Sequence, residues 1–101
     1  MKINLLVFVS SVKEKNQMEA LVKTFESTIR PYNGDIIADP GFDADFHNGY
    51  EVVKVTIDYA ADECWVSLSP LLIEKEDISS KAYIEKLKNH GWRVLTKEEL
   101  S

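Results

Sequence analysis

Apolar residues crowd the first ten positions on both sides of a would-be strand, with Ile3, Leu5, Val7 and Val9 on one face and Leu6 and Phe8 on the other. Burial on two sides is expected of a central strand covered above and below. Lys2 followed by an apolar run also resembles the start of a secretory leader. The run is short, broken by Asn4, and has no small-residue cleavage site before Lys13 and Glu14, so a buried strand over residues 3–9 is the expectation. Next, Ser11-Val12-Lys13-Glu14 has the form of a capping box, with Ser11 as N-cap and Glu14 reaching back to it. Met18, Leu21, Val22, Phe25 and Ile29 then recur at helical spacing and predict one amphipathic helix, ended by Pro31.

Residues 32–49 read as a long connection, punctuated by Asn33-Gly34, Asp39-Pro40-Gly41 and Asn48-Gly49. Residues 35–38 add a short edge strand to it. A connection of this length in a small domain is usually functional. From Tyr50 to Tyr59 the pattern alternates: Val53, Val55, Ile57 and Tyr59 on one face, Lys54, Thr56 and Asp58 on the other. A turn at 60–63 returns the chain as a strand over 64–69. Pairing Tyr59 with Cys64 sets Ile57 opposite Val66 and Val55 opposite Leu68, giving one apolar face. Trp65, Ser67 and Ser69 take the opposite face, and Pro70 ends the pairing.

A second helix, capped by Asp77 or Ser79, carries Ile78, Ala82, Ile84 and Leu87 inward, with Lys86, Lys88 and His90 near its C-terminus. Gly91 suits the C′ position, and residues 92–95 form a last strand. The order β-α-β-β-α-β predicts a ferredoxin-like α+β fold in one domain spanning 1–101. Two helices would pack on one face of a mainly antiparallel four-stranded sheet. The other face stays open and gathers Leu6, Phe8 and Trp65. RNA-recognition motifs place stacking aromatics on the corresponding strands, but no Lys/Arg set flanks these three and the neighbouring hairpin is acidic. A protein partner, a second copy in a homodimer, or the 32–49 connection is the expected cover.

Charge sharpens that picture. The 101 residues carry a net charge of −5, and it is concentrated: from Pro31 to Glu74 nine acids face one base, Lys54. An acidic chain of pI near 5.0 is disfavoured at nucleic acid and at anionic membranes. No stretch reaches the ~20 apolar residues of a membrane span, which makes cytoplasmic residence the expectation. Hydrophobic content of 45% argues against disorder.

Chemistry-bearing motifs are few. Asp43, Asp45, Asn48 and Glu51 suggest a calcium loop, but counting from Asp43 puts His47 at position 5, Asn48 at 6 and Lys54 at 12, which breaks the pattern. His47 with one aspartate is too small a set for zinc. Cys64 is the only cysteine, excluding an intramolecular disulfide, and falls on the inward face of its strand, where cysteine behaves as a small hydrophobe. Neither metal, cofactor nor catalytic residue is expected, and the chain is read as no enzyme. What remains is acids interleaved with aromatics: Asp35, Asp39, Phe42, Asp43, Asp45, Phe46, His47 and Tyr50 in the connection, and Asp62, Glu63 and Trp65 in the hairpin. Carboxylates accept paired hydrogen bonds from arginine while aromatic rings supply anchoring area, so this set fits a cationic protein surface.

In size, acidity, the 35–50 segment and the Asp62-Glu63-Cys64-Trp65 turn, the chain resembles the small immunity proteins of bacterial toxin–immunity systems, contact-dependent growth inhibition among them. The resemblance implies a cytosolic partner-binding role without catalysis; with the acidic surface, the expectation is a domain that neutralises a basic partner, foremost a nuclease toxin whose phosphate-binding groove an acidic surface can plug. Two other classes remain: a small-ligand or enzymatic domain with its site under the 32–49 connection, and a dimeric ferredoxin-like regulatory domain.

Overall fold

The computed structural model describes residues 1–11, 18–42, 49–73 and 80–95. Strand is the dominant structure among the described residues. The strands are β1 (Lys2–Ser11), β2 (Met18–Glu26), β3 (Ile36–Ile37), β4 (Tyr50–Asp58), β5 (Glu63–Leu68), β6 (Leu71–Ile73) and β7 (Arg93–Val94), and a single short helix, α1 (Ser80–Lys88), is described. One sheet runs in the order β3-β4-β5-β1-β2-β7, with β6 also pairing β1, and curls into half a barrel. The ferredoxin-like fold with two helices on a four-stranded sheet is therefore incorrect.

The correction turns on residues 18–26, which form a strand and not a helix. Their apolar positions satisfy both periods: 18, 21, 22 and 25 fit a helical stripe, yet Leu21 and Phe25 also alternate against Ala20 and Val22. Tertiary pairing decides between them, because β2 matches β1 residue for residue from Ser10↔Met18 to Lys2↔Glu26 in an antiparallel ladder. The helical stripe would have buried Met18 and Ile29, but these are 65% and 78% exposed. Ser11 ends β1, and the remainder of the expected capping box, Val12 to Glu14, lies outside the described residues.

β1 is central, as its two-sided pattern implied. Ile3, Leu5, Val7 and Val9 are buried under α1 and its flanks, while Leu6 and Phe8 pack with Ala20, Val22 and Leu95 on the other face. β5 runs parallel to β1 over Lys2–Leu6 and β6 continues along the same edge over Val9–Ser11. Between them the register slips by one residue at Ser69-Pro70, where proline has no N–H to offer a ladder.

The β4–β5 hairpin forms, shifted by two residues from the expected pairing: Ile57 meets Cys64 and Val55 meets Val66. A two-residue shift keeps every side chain on its face. A β-bulge between Val52 and Lys54 then reverses the alternation, so Tyr50 and Val52 point inward while Val53 and Tyr59 are exposed.

Helix α1 turns Tyr83 and Leu87 into the core, whereas Ala82 is exposed and Ile84 half-buried; Asp77, Ile78 and Ser79 lie outside the described residues. Its end is a Schellman motif: Trp92 N–H donates to the Leu87 carbonyl (3.1 Å), Gly91 N–H donates to that of Lys88 (3.3 Å), and Gly91 sits at φ +92°. Leu87 and Trp92 are both buried, supplying the apolar contact that accompanies the motif. A Cβ at Gly91 would meet only Lys23 Cε at an ordinary 3.5 Å, so the left-handed backbone alone sets the cost of filling it. Gly91→Ala is expected to lower stability by about 1 kcal/mol, measured by urea denaturation; an unchanged midpoint would show that the helix end does not need this conformation.

Candidate functional site

Of the residues singled out for partner binding, Asp43, Asp45, Phe46 and His47 lie outside the described residues. The structure divides the others into a buried set and an exposed set.

The buried set holds the start of the 32–49 connection against the core. Phe42 and Tyr50, 7% and 2% exposed, meet edge to face at 4.5 Å, and Phe42 also lies 5.6 Å from Trp92. Tyr50 and Tyr83 join their hydroxyls at 3.2 Å. These rings are packing residues and leave little surface for a partner. Asp39 is half-buried beside them in an ion pair with Lys23. Its Oδ2 accepts from Lys23 Nζ at 2.6 Å, and its Oδ1 accepts from Gly41 N–H at 2.8 Å and Trp92 Nε1–H at 3.1 Å. Burial pushes the Asp39 carboxyl up, but the Lys23 hydrogen bond, the Gly41 and Trp92 donors and the Lys23 charge outweigh it and hold the group below its ordinary value. Lys23 and Trp92 escaped notice in the sequence. A strand reading of residues 18–26 would have found Lys23, since it places a lysine between Leu21 and Phe25 on a core-facing row, where a counter-charge is required.

Asp35 is exposed and accepts from Tyr32 N–H at 2.9 Å, closing the turn that leads into β3. Arg30 stacks 4.0 Å above the Tyr32 ring on the same segment.

The remaining set is gathered at the β4–β5 hairpin, with Asp62 and Trp65 exposed and Glu63 half-buried. Asp62 occupies the turn with φ +53°, and Glu63 opens β5 opposite Asp58. Trp65, 37% exposed, sits across from Thr56 on one side and Asn4 on the other, so it shares the sheet face turned away from α1 with Leu6 and Phe8. Tyr59, 82% exposed, stands at the turn. Beneath Trp65 a small polar network stiffens the face. Thr24 Oγ1 donates to Asn4 Oδ1 (2.7 Å), and Asn4 Nδ2 donates to the Cys64 carbonyl (3.3 Å) and Glu63 Oε2 (3.4 Å). Lys2 Nζ approaches Glu63 at 3.8 Å, a partly exposed pair that adds little to stability. Asn4, the one polar residue in an apolar run, was legible only as an interruption of that run.

Cys64 is fully buried, and desolvation raises its thiol above the ordinary value, which works against nucleophilic chemistry. Among the described residues no group of three His, Cys, Asp or Glu side chains is placed to hold a metal, and no helix is long and apolar enough to cross a membrane. A cleft of about 390 Å³ runs between α1 and the sheet, lined by Val9, Glu19, Lys81, Ile84, Glu85 and Val94 among others. It lies away from the acidic hairpin and mixes both signs of charge. No family model matches the chain, and no curated protein or solved structure is significantly similar to it.

Proposed function

We propose that this protein is a non-catalytic binding protein that neutralises a basic protein partner in the cytoplasm, in its sharpest form a nuclease toxin. The observation that carries the proposal is the clustering of Asp62, Glu63 and half-exposed Trp65 at one hairpin, beside Asp58 and Tyr59. An aromatic ring of large area flanked by carboxylates suits a surface rich in arginine, because the ring stacks on a guanidinium while the carboxylates accept its N–H groups. The Asn4 network fixes the strand that presents Trp65, so little order has to be gained on binding. A ligand site under the 32–49 connection has less support, since Phe42 fills the space beneath its described part.

Capture on the immobilised chain, with the bound protein assayed for nuclease activity, tests the reading. Asp62→Asn removes a charge while keeping a residue that tolerates the left-handed backbone, and Trp65→Ala removes the anchor. Each is expected to weaken retention of the captured basic protein roughly tenfold or more, with an unchanged thermal midpoint for Asp62→Asn. Equal retention by the wild type and both variants would remove this face from the account.

A further inference from the structure

Among the described residues the outer edge of β4 is only partly covered. β3 pairs with it at Tyr50 and Glu51, and Val52 exchanges hydrogen bonds with Gly34 and Asp35. From Lys54 to Asp58 no described strand lies outside it, although the strand there is regular, with an unbroken register against β5. Such an edge is a template for another strand.

Its sequence specifies which strand. In an antiparallel self-pairing centred on Thr56, Lys54 falls opposite Asp58 of a second copy, and Asp58 opposite the second copy's Lys54. Val55 and Ile57 face each other in the same way, and Thr56 meets Thr56 on the two-fold axis. Exposed Val53 and Tyr59 flank the paired stretch. Lys54, Thr56 and Asp58 are all exposed on one face of the strand, and Asp58 accepts from Ala61 N–H of its own turn, at 3.2 Å. Lys54 is the single base between Pro31 and Glu74, and it occupies the one position from which it meets a carboxylate across the axis.

We propose that this protein forms a two-fold dimer by joining the β4 edges of two copies into one continuous sheet, in the register that pairs Lys54 with Asp58. The dimer is built on the backbone edge of β4 and is tested on the purified chain alone, so it stands whether or not the Trp65 face, which Thr56 and Asp58 share, binds a partner. Five paired residues make a small interface, so association is weak and concentration-dependent.

Sedimentation equilibrium tests it with three samples. The wild type is expected to shift from monomer to dimer as concentration rises. Lys54→Glu and Asp58→Lys, each alone, place like charges opposite one another twice and are expected to raise the dimer dissociation constant roughly tenfold or more. An equimolar mixture of the two variants restores both opposite-charge pairs, and a mixed dimer is expected to return. A wild type that stays monomeric at every concentration, a dimer indifferent to the single variants, or a mixture that fails to associate would each overturn the proposal. Because the mixture contains only the two single variants, its recovery also shows that both remain folded.

Discussion

Gly49→Ala is expected to cost about 2–4 kcal/mol. Gly49 leads into β4 at φ +138°, a backbone region that side chains rarely enter. A Cβ there would lie 2.7 Å from both Ile36 Cγ2 and the Ile37 carbonyl oxygen. Ile37 is paired with Tyr50, so the backbone cannot retreat without opening the β3–β4 ladder. Moving Tyr50 in turn disturbs Phe42 and the Tyr50–Tyr83 hydroxyl pair, both deep in the core. For a domain of this size the thermal midpoint should fall by roughly 10–20 °C. A midpoint within a degree or two of wild type would mean that β3 is not held against β4 as described.

Asp39→Ala is expected to cost about 3 kcal/mol, because it orphans three donors at once. Lys23 is left on a core-facing row with no counter-charge, and the Trp92 and Gly41 N–H groups lose their acceptor. Asp39→Asn should recover part of the loss, since an amide oxygen still accepts one of these bonds. Acid separates the charge from the shape. The folded-state value of Asp39 lies below the ordinary 3.8, so its contribution is fully present above that pH and is lost as pH falls through the folded value. The stability gap between wild type and Asp39→Asn should therefore be constant near neutrality and close in the acid limb. A gap that persists unchanged down to the acid midpoint would show that the Lys23–Asp39 pair contributes nothing through its charge.

Much of the strand content was legible because period-two patterns leave strong traces. β1, β4, β5 and the short β3 and β7 fall where alternation and turn residues place them, and Gly91 ends α1 as its position after the basic residues implied. Residues 18–26 were misread because their apolar positions satisfy two periods, and what selects the strand is β1, a partner distant in sequence. The Val53 bulge was invisible for a related reason. It exists to turn Tyr50 and Val52 inward, a demand set by the core and not by local preference. The acidic aromatic set was legible as composition only. Packing divides it, sending Phe42 and Tyr50 into the core, holding Asp39 half-buried against Lys23, and leaving Asp35, Asp62 and Trp65 at the surface.

The central claim is that a basic protein docks on the face carrying Asp62, Glu63 and Trp65. Its most direct test is the association rate of the captured partner, measured at two ionic strengths for wild type and for Asp62→Asn. Charge steering predicts a wild-type rate that falls steeply between low and physiological salt, and a shallower fall for Asp62→Asn. A rate indifferent to salt, or the same salt dependence in both proteins, would contradict it.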